Sequence, residues 1–336
     1  VLWQDFSQNS ISPNAFLEYS LTNKTQTAGL SASFAYAHLR NTDTDKLVST
    51  PQLPIKEHTF TPVIAAFWEK DKFGVHAAMQ FERNYNNFYS SFAWIPKLSL
   101  RYGSDAMSVE LDYAKSINRP LAFMLTNNQT SQTGKLRSTG NSQLQSEDKH
   151  QINLNLSWGE LSVAISKLWV NNITDLQLDN TAQGDTLLKR WQNIGRVSNW
   201  SLNLYYGFHW AWFYANPSIR LGFGKFKDNA NSQKNYSFSL SLPMQATFKS
   251  HKFLAELVYL TCSKFYQTTT QPMFIINLRY NIRIPKYDLT ISFFTRDLLS
   301  SKSTEKFTTQ TTSYFSSTVV HKDKRQFGLS LTYDFS

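Results

Sequence analysis

The sequence predicts an all-β chain, an antiparallel transmembrane β-barrel of about 16 strands, on three observations. Short stretches alternate between apolar and polar residues with a period of two. The connections between them are alternately short and long. Aromatic residues make up 15% of the chain, yet no apolar run approaches the ~18–20 residues of a membrane helix.

The closing stretch 325–336, RQFGLSLTYDFS, sets the pattern. Phe327, Leu329, Leu331, Tyr333 and Phe335 fall on one side of an extended chain, and Gly328, Ser330, Thr332 and Asp334 on the other. Taken alone, such a strand fits a soluble sandwich or a membrane barrel with lipid outside and water inside. It ends one residue past an aromatic, as the last strand of Gram-negative outer-membrane proteins commonly does. WIPKLSLRY at 94–102 and MSVELDYAK at 107–115 repeat the alternation, as does QINLNLSW at 151–158. The expected lipid-facing set is therefore Leu98, Leu100, Met107, Val109, Leu111, Leu154, Leu156, Phe327, Leu329, Leu331 and Phe335. The expected lumen-facing set is Arg101, Glu110, Asp112, Asn153, Asn155, Ser330 and Asp334.

Taken in order, strands are expected at 1–8, 14–22, 27–38, 60–68, 73–82, 94–102, 107–115, 151–158 and 161–169. They continue at 200–207, 210–226 (broken near Pro217), 236–248, 253–266, 272–283, 287–298 and the terminal stretch. Short connections are NKTQ after Leu21–Thr22, EKDK at 69–72, GSDA at 103–106, Gly159, residues 208–209, KSHK at 249–252 and IPK at 284–286. Long polar ones include 116–149, 171–191 and 299–324. Barrels place short turns on the periplasmic side and long loops outside, whereas a sandwich has no reason to alternate so regularly. An even strand number places both ends on the periplasmic side, in one domain spanning 1–336. Closure follows from physics, because an unpaired sheet edge in lipid leaves backbone groups unsatisfied at several kcal/mol each. A barrel of that size is wide enough for a lumen lined by the polar set.

The net charge is +10, with 34 Lys and Arg against 24 Asp and Glu. The basic residues are scattered rather than clustered, which speaks against nucleic acid. They suit a cationic interior or rim facing outer-membrane lipid, anionic lipopolysaccharide or an anionic solute. Cys262 is the one cysteine, so no internal disulfide forms. No signal peptide stands at Val1, so the chain is expected to be mature, trimmed or partial. There is no G-x-S-x-G, Walker or H-E-x-x-H motif, and His38, His58, His76, His150, His209, His251 and His321 are dispersed. The expectation is no catalytic, cofactor or metal site. Glu110 and Asp112 read as ordinary inner-face charges, His209 as a girdle or turn residue, and Arg296–Asp297 as a rim or interstrand salt bridge. Ser166 and His150 fall on neighbouring strands, and nothing in the sequence places them together. Glu256 and Arg279 are further candidates for the lumen.

Several segments carry a family resemblance. DYAKSINRPLAFML at 112–125 and STGNSQLQSEDKHQINLNLSW at 138–158 resemble consecutive signatures of TonB-dependent outer-membrane receptors. FAWIPKLSLRYG at 92–103, NIGRVSNWSLNLYY at 193–206, ISFFTRDLLSSK at 291–302 and the closing strand are similar to further segments of that family, in the same order. The resemblance covers about 60–336 and implies uptake of a large solute across the outer membrane. It also implies a 22-stranded barrel, an internal plug and a box that contacts TonB. This chain carries neither plug nor box, and Ser142 stands where the family's "GNP" has proline. It is therefore either the C-terminal portion of a longer receptor or a reduced relative, and TonB is a partner only where a plug precedes it. Two other functions suit the same strands: a scaffold barrel holding a surface lipoprotein or another outer-membrane subunit, and a passive pore.

Overall fold

A computed structural model describes residues 5–11, 13–23, 26–44, 55–86, 90–125, 130–133, 136–178, 187–228, 232–261, 263–265, 268–270, 272–300, 304–310, 315–321 and 325–333. The chain forms two compact units. One comprises residues 1–104, 110–152 and 168–197, the other 105–109, 153–167 and 198–336.

In the first unit β1 (Asp5–Ile11), β2 (Asn14–Thr22), β3 (Gln26–Thr44), β4 (Ile55–Lys70), β5 (Phe73–Asn86) and β6 (Ser90–Gly103) form an antiparallel meander. β1 and β2 are not two neighbouring strands. They lie end to end along β3, Ile11 opposite His38 and Asn14 opposite Ala35. The interruption falls at Pro13, which has no N–H for the ladder. Its carbonyl still accepts the Tyr36 N–H at 3.2 Å.

The register places Leu21, Ala28, Trp68, Val75 and Leu100 in one row across five strands, and Ser20, Gly29, Phe67, His76 and Ser99 in the row facing the other way. Period two in sequence thus becomes one apolar and one mostly polar face. The short turns fall where expected. Gln26 N–H donates to Asn23 Oδ1 at 2.9 Å, and Asp71 takes the tight positive-φ corner of EKDK at 50°.

Next come β7 (Met107–Asn118), the single helical turn α1 (Ala122–Leu125), β8 (Thr130–Thr133), β9 (Leu136–Thr139), β10 (Glu147–Trp158), β11 (Leu161–Leu178) and β12 (Leu187–Tyr206). β11 and β12 run well into the segment read as a long polar loop, 171–191. Polar residues on both faces there erase the period-two signal without removing the backbone pairing.

The second unit adds β13 (Phe208–Trp210), β14 (Phe213–Ala215), β15 (Ser218–Lys227), β16 (Ser232–Phe248) and β17 (His251–Leu260). After the short hairpin of β18 (Ser263–Phe265) and β19 (Thr268–Thr270) come β20 (Met273–Ile284) and β21 (Leu289–Arg296). A second hairpin of β22 (Thr304–Gln310) and β23 (Phe315–His321) precedes β24 (Gln326–Tyr333). The strand expected at 253–266 is thus divided between β17 and β18, while β19, β22 and β23 lie in segments read as loops.

The turn expected at 208–209 lies at 211–212, with Ala211 at φ 46°. FHWAWFYA contains no turn-forming residue, so its position carried no signal. β14 and β15 continue one another along β16, and the interruption falls at Asn216–Pro217, as the proline predicts. Antiparallel pairing then runs β16, β17, β20, β21, β24. The edge strands β2 and β24 each pair on one side only among the described residues.

Few apolar side chains are buried; Ile95, Val197, Phe226 and Ile275 are among them. The apolar rows are instead exposed: Leu17 is 72% accessible, Ile64 58% and Leu331 64%. Within each unit, no second sheet or helix layer covers them among the described residues. Among the described residues no helix is long and apolar enough to cross a membrane, which says nothing about crossing by strands.

Candidate functional site

The two faces carry the residues singled out from the sequence. Leu98 pairs with Ala77 and Leu100 with Val75 on the exposed apolar face of the first unit. Met107 and Leu111 are exposed, Val109, Leu154 and Leu156 half-buried. Phe327, Leu329 and Leu331 stand exposed on β24, and Leu329 pairs with Phe293. On the opposite faces Arg101 Nε donates to Glu110 Oε1 at 2.7 Å, so two of the polar set are brought together. Asp112 and Asn153 are half-buried and Asn155 exposed. Ser330 pairs with Ser292. Asp334 and Phe335 lie outside the described residues.

Of the segments that carry the resemblance, 112–125, 138–152 and the start of 193–206 meet in the first unit. β7 ends at Asn118, and Pro120, which cannot continue the ladder, is buried behind it. Arg119 between them turns back onto the sheet and makes an ion pair with Glu82 of β5. Burial lowers the pKa of this guanidinium, and the nearby Glu57 carboxylate opposes that shift. Glu57 accepts from Asn84 Nδ2 at 2.5 Å, and the same amide reaches Thr59 Oγ1 at 2.8 Å. Asn84 has no solvent-accessible surface. A buried charge is tolerable only when paired and hydrogen-bonded, which is what Glu82, Glu57 and Asn84 supply.

The chain after Pro120 folds down rather than extending away. Leu125 is 1% accessible, and the Met124 carbonyl accepts the Asn141 N–H at 2.7 Å. Asn141 Nδ2 donates to the Trp191 carbonyl at 3.1 Å, its Oδ1 accepts the Gln143 N–H at 3.0 Å, and Leu144 is buried beside it. β9 pairs parallel to the start of β12, Thr139 opposite Arg190. Glu147 ties both ends of this segment together, accepting from Asn118 Nδ2 at 3.1 Å and from the Thr174 N–H at 2.7 Å. Asn193 completes the fastening. Its Oδ1 accepts the Gln145 N–H, and its Nδ2 faces the carbonyls of Gln145 and Asn172 and the Thr174 hydroxyl. Asn118, Arg119, Pro120, Asn141 and Glu147 were visible in the motifs. Glu57, Glu82, Asn84 and Thr174 were not, because a charged or polar residue on an alternating strand looks like any inner-face residue.

On the polar face of the second unit, Glu256 accepts from Asn277 Nδ2 at 2.8 Å, and Asn277 Oδ1 accepts the Asp297 N–H at 3.0 Å. Asp297 is buried with φ 47°. Arg296 stacks on Phe294, with 5.6 Å between guanidinium carbon and ring centroid, and Arg279 lies over the same ring at 5.7 Å.

Of the dispersed histidines, His38 and His58 meet as direct partners of β3 and β4, Nδ1 to Nδ1 at 3.3 Å, and the Tyr36 hydroxyl lies 2.8 Å from His58 Nδ1. His209 sits beside the Ala211 turn, 4.6 Å from the Tyr214 ring and 3.8 Å from Glu160. His150 contacts the Tyr113 hydroxyl at 2.9 Å and stacks on Trp169. Among the described residues no three His, Cys, Asp or Glu side chains converge as a metal site.

An all-β antiparallel fold with one exposed apolar face and one polar face defines a β-barrel protein of the outer membrane. The chain belongs to the outer membrane protein beta-barrel family, whose sequence model matches residues 75–333. Among solved structures it resembles the siderophore receptor PirA from Pseudomonas aeruginosa, at 13% identity and a TM-score of 0.67, over 100% of this chain and 58% of that one. The FrpB iron transporter from Neisseria meningitidis matches at 10% identity and 0.64, over 98% and 55%. The ferric enterobactin receptor PfeA of Pseudomonas aeruginosa matches at 11% and 0.66, over 97% and 54%. The chain thus spans about half the length of these receptors, and at such identities the likeness is one of fold. No curated protein sequence matches it.

Proposed function

We propose that this chain is the barrel portion of a TonB-dependent type of transporter that admits a large solute through the outer membrane. The observation that carries the reading is the pair of unlike faces. Large apolar side chains project from one face with nothing packed on them, an arrangement that water would penalise and acyl chains would not. The other face holds hydrogen-bonded and paired charges such as Arg101–Glu110 and Glu256–Asn277, suited to an aqueous interior.

Exposed aromatics beside the short turns support a bilayer boundary there. Trp158 precedes Gly159, Trp210 and Trp212 flank Ala211, Phe248 precedes Lys249, and Tyr287 closes the turn begun at Pro285. The facing follows: Leu98, Leu100, Leu111 and Leu329 toward lipid, and Arg101, Glu110, Asn153 and Ser330 toward the lumen. The fastened segment 119–147 and the connections beyond β11 and β21 would then meet solute from outside, with lipopolysaccharide around the rim. TonB would act through a plug on the same polypeptide.

The solved neighbours include siderophore and iron receptors, so iron chelates are the first solutes to test. Cells carrying the gene should accumulate radioactive iron from a panel of siderophores only while the inner membrane is energised. Equal accumulation in cells deleted for the gene, across the panel, sinks iron-chelate uptake; a protein that fractionates away from the outer membrane sinks the transport reading itself.

A further inference from the structure

We propose that the polar face of the second unit holds an oxyanion-binding site built on Arg279 and Arg296. The two guanidiniums share one platform, the Phe294 ring. That ring is itself held in place over Gly328. Stacking of this kind orients a guanidinium while leaving its N–H fork free to donate.

Four other arginines have polar partners: Arg101 has Glu110, Arg119 has Glu82, Arg283 has Asp288, and Arg220 Nε donates to Asn203. Among the described residues neither Arg279 nor Arg296 has a carboxylate within ion-pair distance. Glu256, on this face, is engaged by Asn277. Both arginines, Phe294, Asn277 and Glu256 line one hollow of about 360 Å³.

Two oriented, unneutralised guanidiniums at the wall of a hollow suit a carboxylate or phosphate group, which takes paired N–H donors. The free oxygen of Glu256 adds an acceptor, so a solute that also carries hydroxyl groups fits better than a bare anion. The volume limits the bound part to a small polyol acid or phosphate, or to such a group on a larger solute. The site deepens the transport reading and rests on it, because it needs this face to meet water.

The test uses outer-membrane fragments carrying the full-length protein. Arginines are modified with phenylglyoxal, and each is followed by mass spectrometry, with and without inorganic phosphate or gluconate. Saturating anion should slow modification of Arg279 and Arg296 about ten-fold, gluconate at lower concentration than phosphate, while Arg220 and Arg283 react at unchanged rates. Arg296→Gln should abolish the protection of Arg279, and Phe294→Leu should weaken it several-fold. Equal rates with and without either anion, or equal slowing at all four arginines, overturn the site.

Facing is scored separately by nitroxide labels at Ser330 and Leu329. A water-exposed Ser330 together with unprotected arginines overturns the anion site alone. Protected arginines on a water-exposed face, in a protein that gives no energised solute uptake, keep the anion site and overturn the transport reading.

Discussion

The ring of Phe294 occupies the space that a side chain at position 328 would need. The two residues are direct partners in the β21–β24 ladder. Gly29 and Phe67 repeat the arrangement between β3 and β4. In each case a glycine weakens its strand, and an aromatic from the neighbouring strand covers the exposed backbone. Gly328→Ala should therefore destabilise the protein, by about 1–3 kcal/mol, although alanine is normally the better strand residue. Adding Phe294→Ala should recover part of that loss. The measurement is the urea midpoint of the compact, heat-modifiable band on gels. A stabilised Gly328→Ala protein would show that the ring moves aside at no cost.

Arg119 is the second place where one side chain decides local order. Its removal leaves Glu82 with the 3.3 Å hydrogen bond from Gln80 Nε2 and Glu57 with that from Asn84, both without a counter-charge in a partly dehydrated pocket. Breaking a buried pair from one side costs about 3–5 kcal/mol. Both side chains here keep some accessibility, 16% and 13%, so the loss should fall at or below the low end of that range. Arg119→Met combined with Glu82→Leu should be milder than Arg119→Ala, because it leaves one half-buried carboxylate fewer without a counter-charge. Urea midpoints of the three proteins check this; a double variant worse than the single one would mean that the guanidinium packs more than it pairs.

These two cases show what the sequence could and could not reveal. Alternation exposed the faces, because leucines and aromatics on one side and hydroxyls, amides and charges on the other follow directly from strand geometry. Pro217 and Gly159 marked a break and a turn because their backbones allow little else. The Ala211 turn was invisible, since its positive φ is imposed by the flanking ladder and not by residue type. The end-to-end placement of β1 and β2 was equally hidden, because Pro13 reads the same at a turn and at a gap within one strand. Ties such as Arg119–Glu82 depend on which strands become neighbours, information that no single strand contains.

Asn193 fastens three segments with one amide, and its loss should be felt locally. Asn193→Ala leaves the Gln145 N–H and the Asn172 carbonyl without this partner. Each unsatisfied group costs about 1–3 kcal/mol where water cannot replace it. The strands below have their own ladders and should be unaffected. Hydrogen exchange should therefore accelerate at Gln143, Leu144 and Gln145 while β4 and β5 stay protected. Unchanged exchange at Gln145 would assign the fastening to Glu147 and Asn141 instead.

The assignment of faces is open to a direct substitution test. Leu111 and Leu329 sit on exposed apolar faces, whereas Ser108, three residues from Leu111 on β7, and Ser330, next to Leu329 on β24, point oppositely. An arginine facing lipid near the bilayer midplane costs about 2–4 kcal/mol, falling toward the interfaces. The same arginine facing water costs little, because its charge stays hydrated. Leu111→Arg and Leu329→Arg should therefore lower the urea midpoint and weaken the heat-modifiable band, and Ser108→Arg and Ser330→Arg should leave both near the wild type. The contrast within each pair removes differences of strand from the comparison, and for Leu329 and Ser330 differences of depth as well. Equal tolerance at both members of a pair would place that strand outside the hydrocarbon region, and the reverse order would turn its faces around.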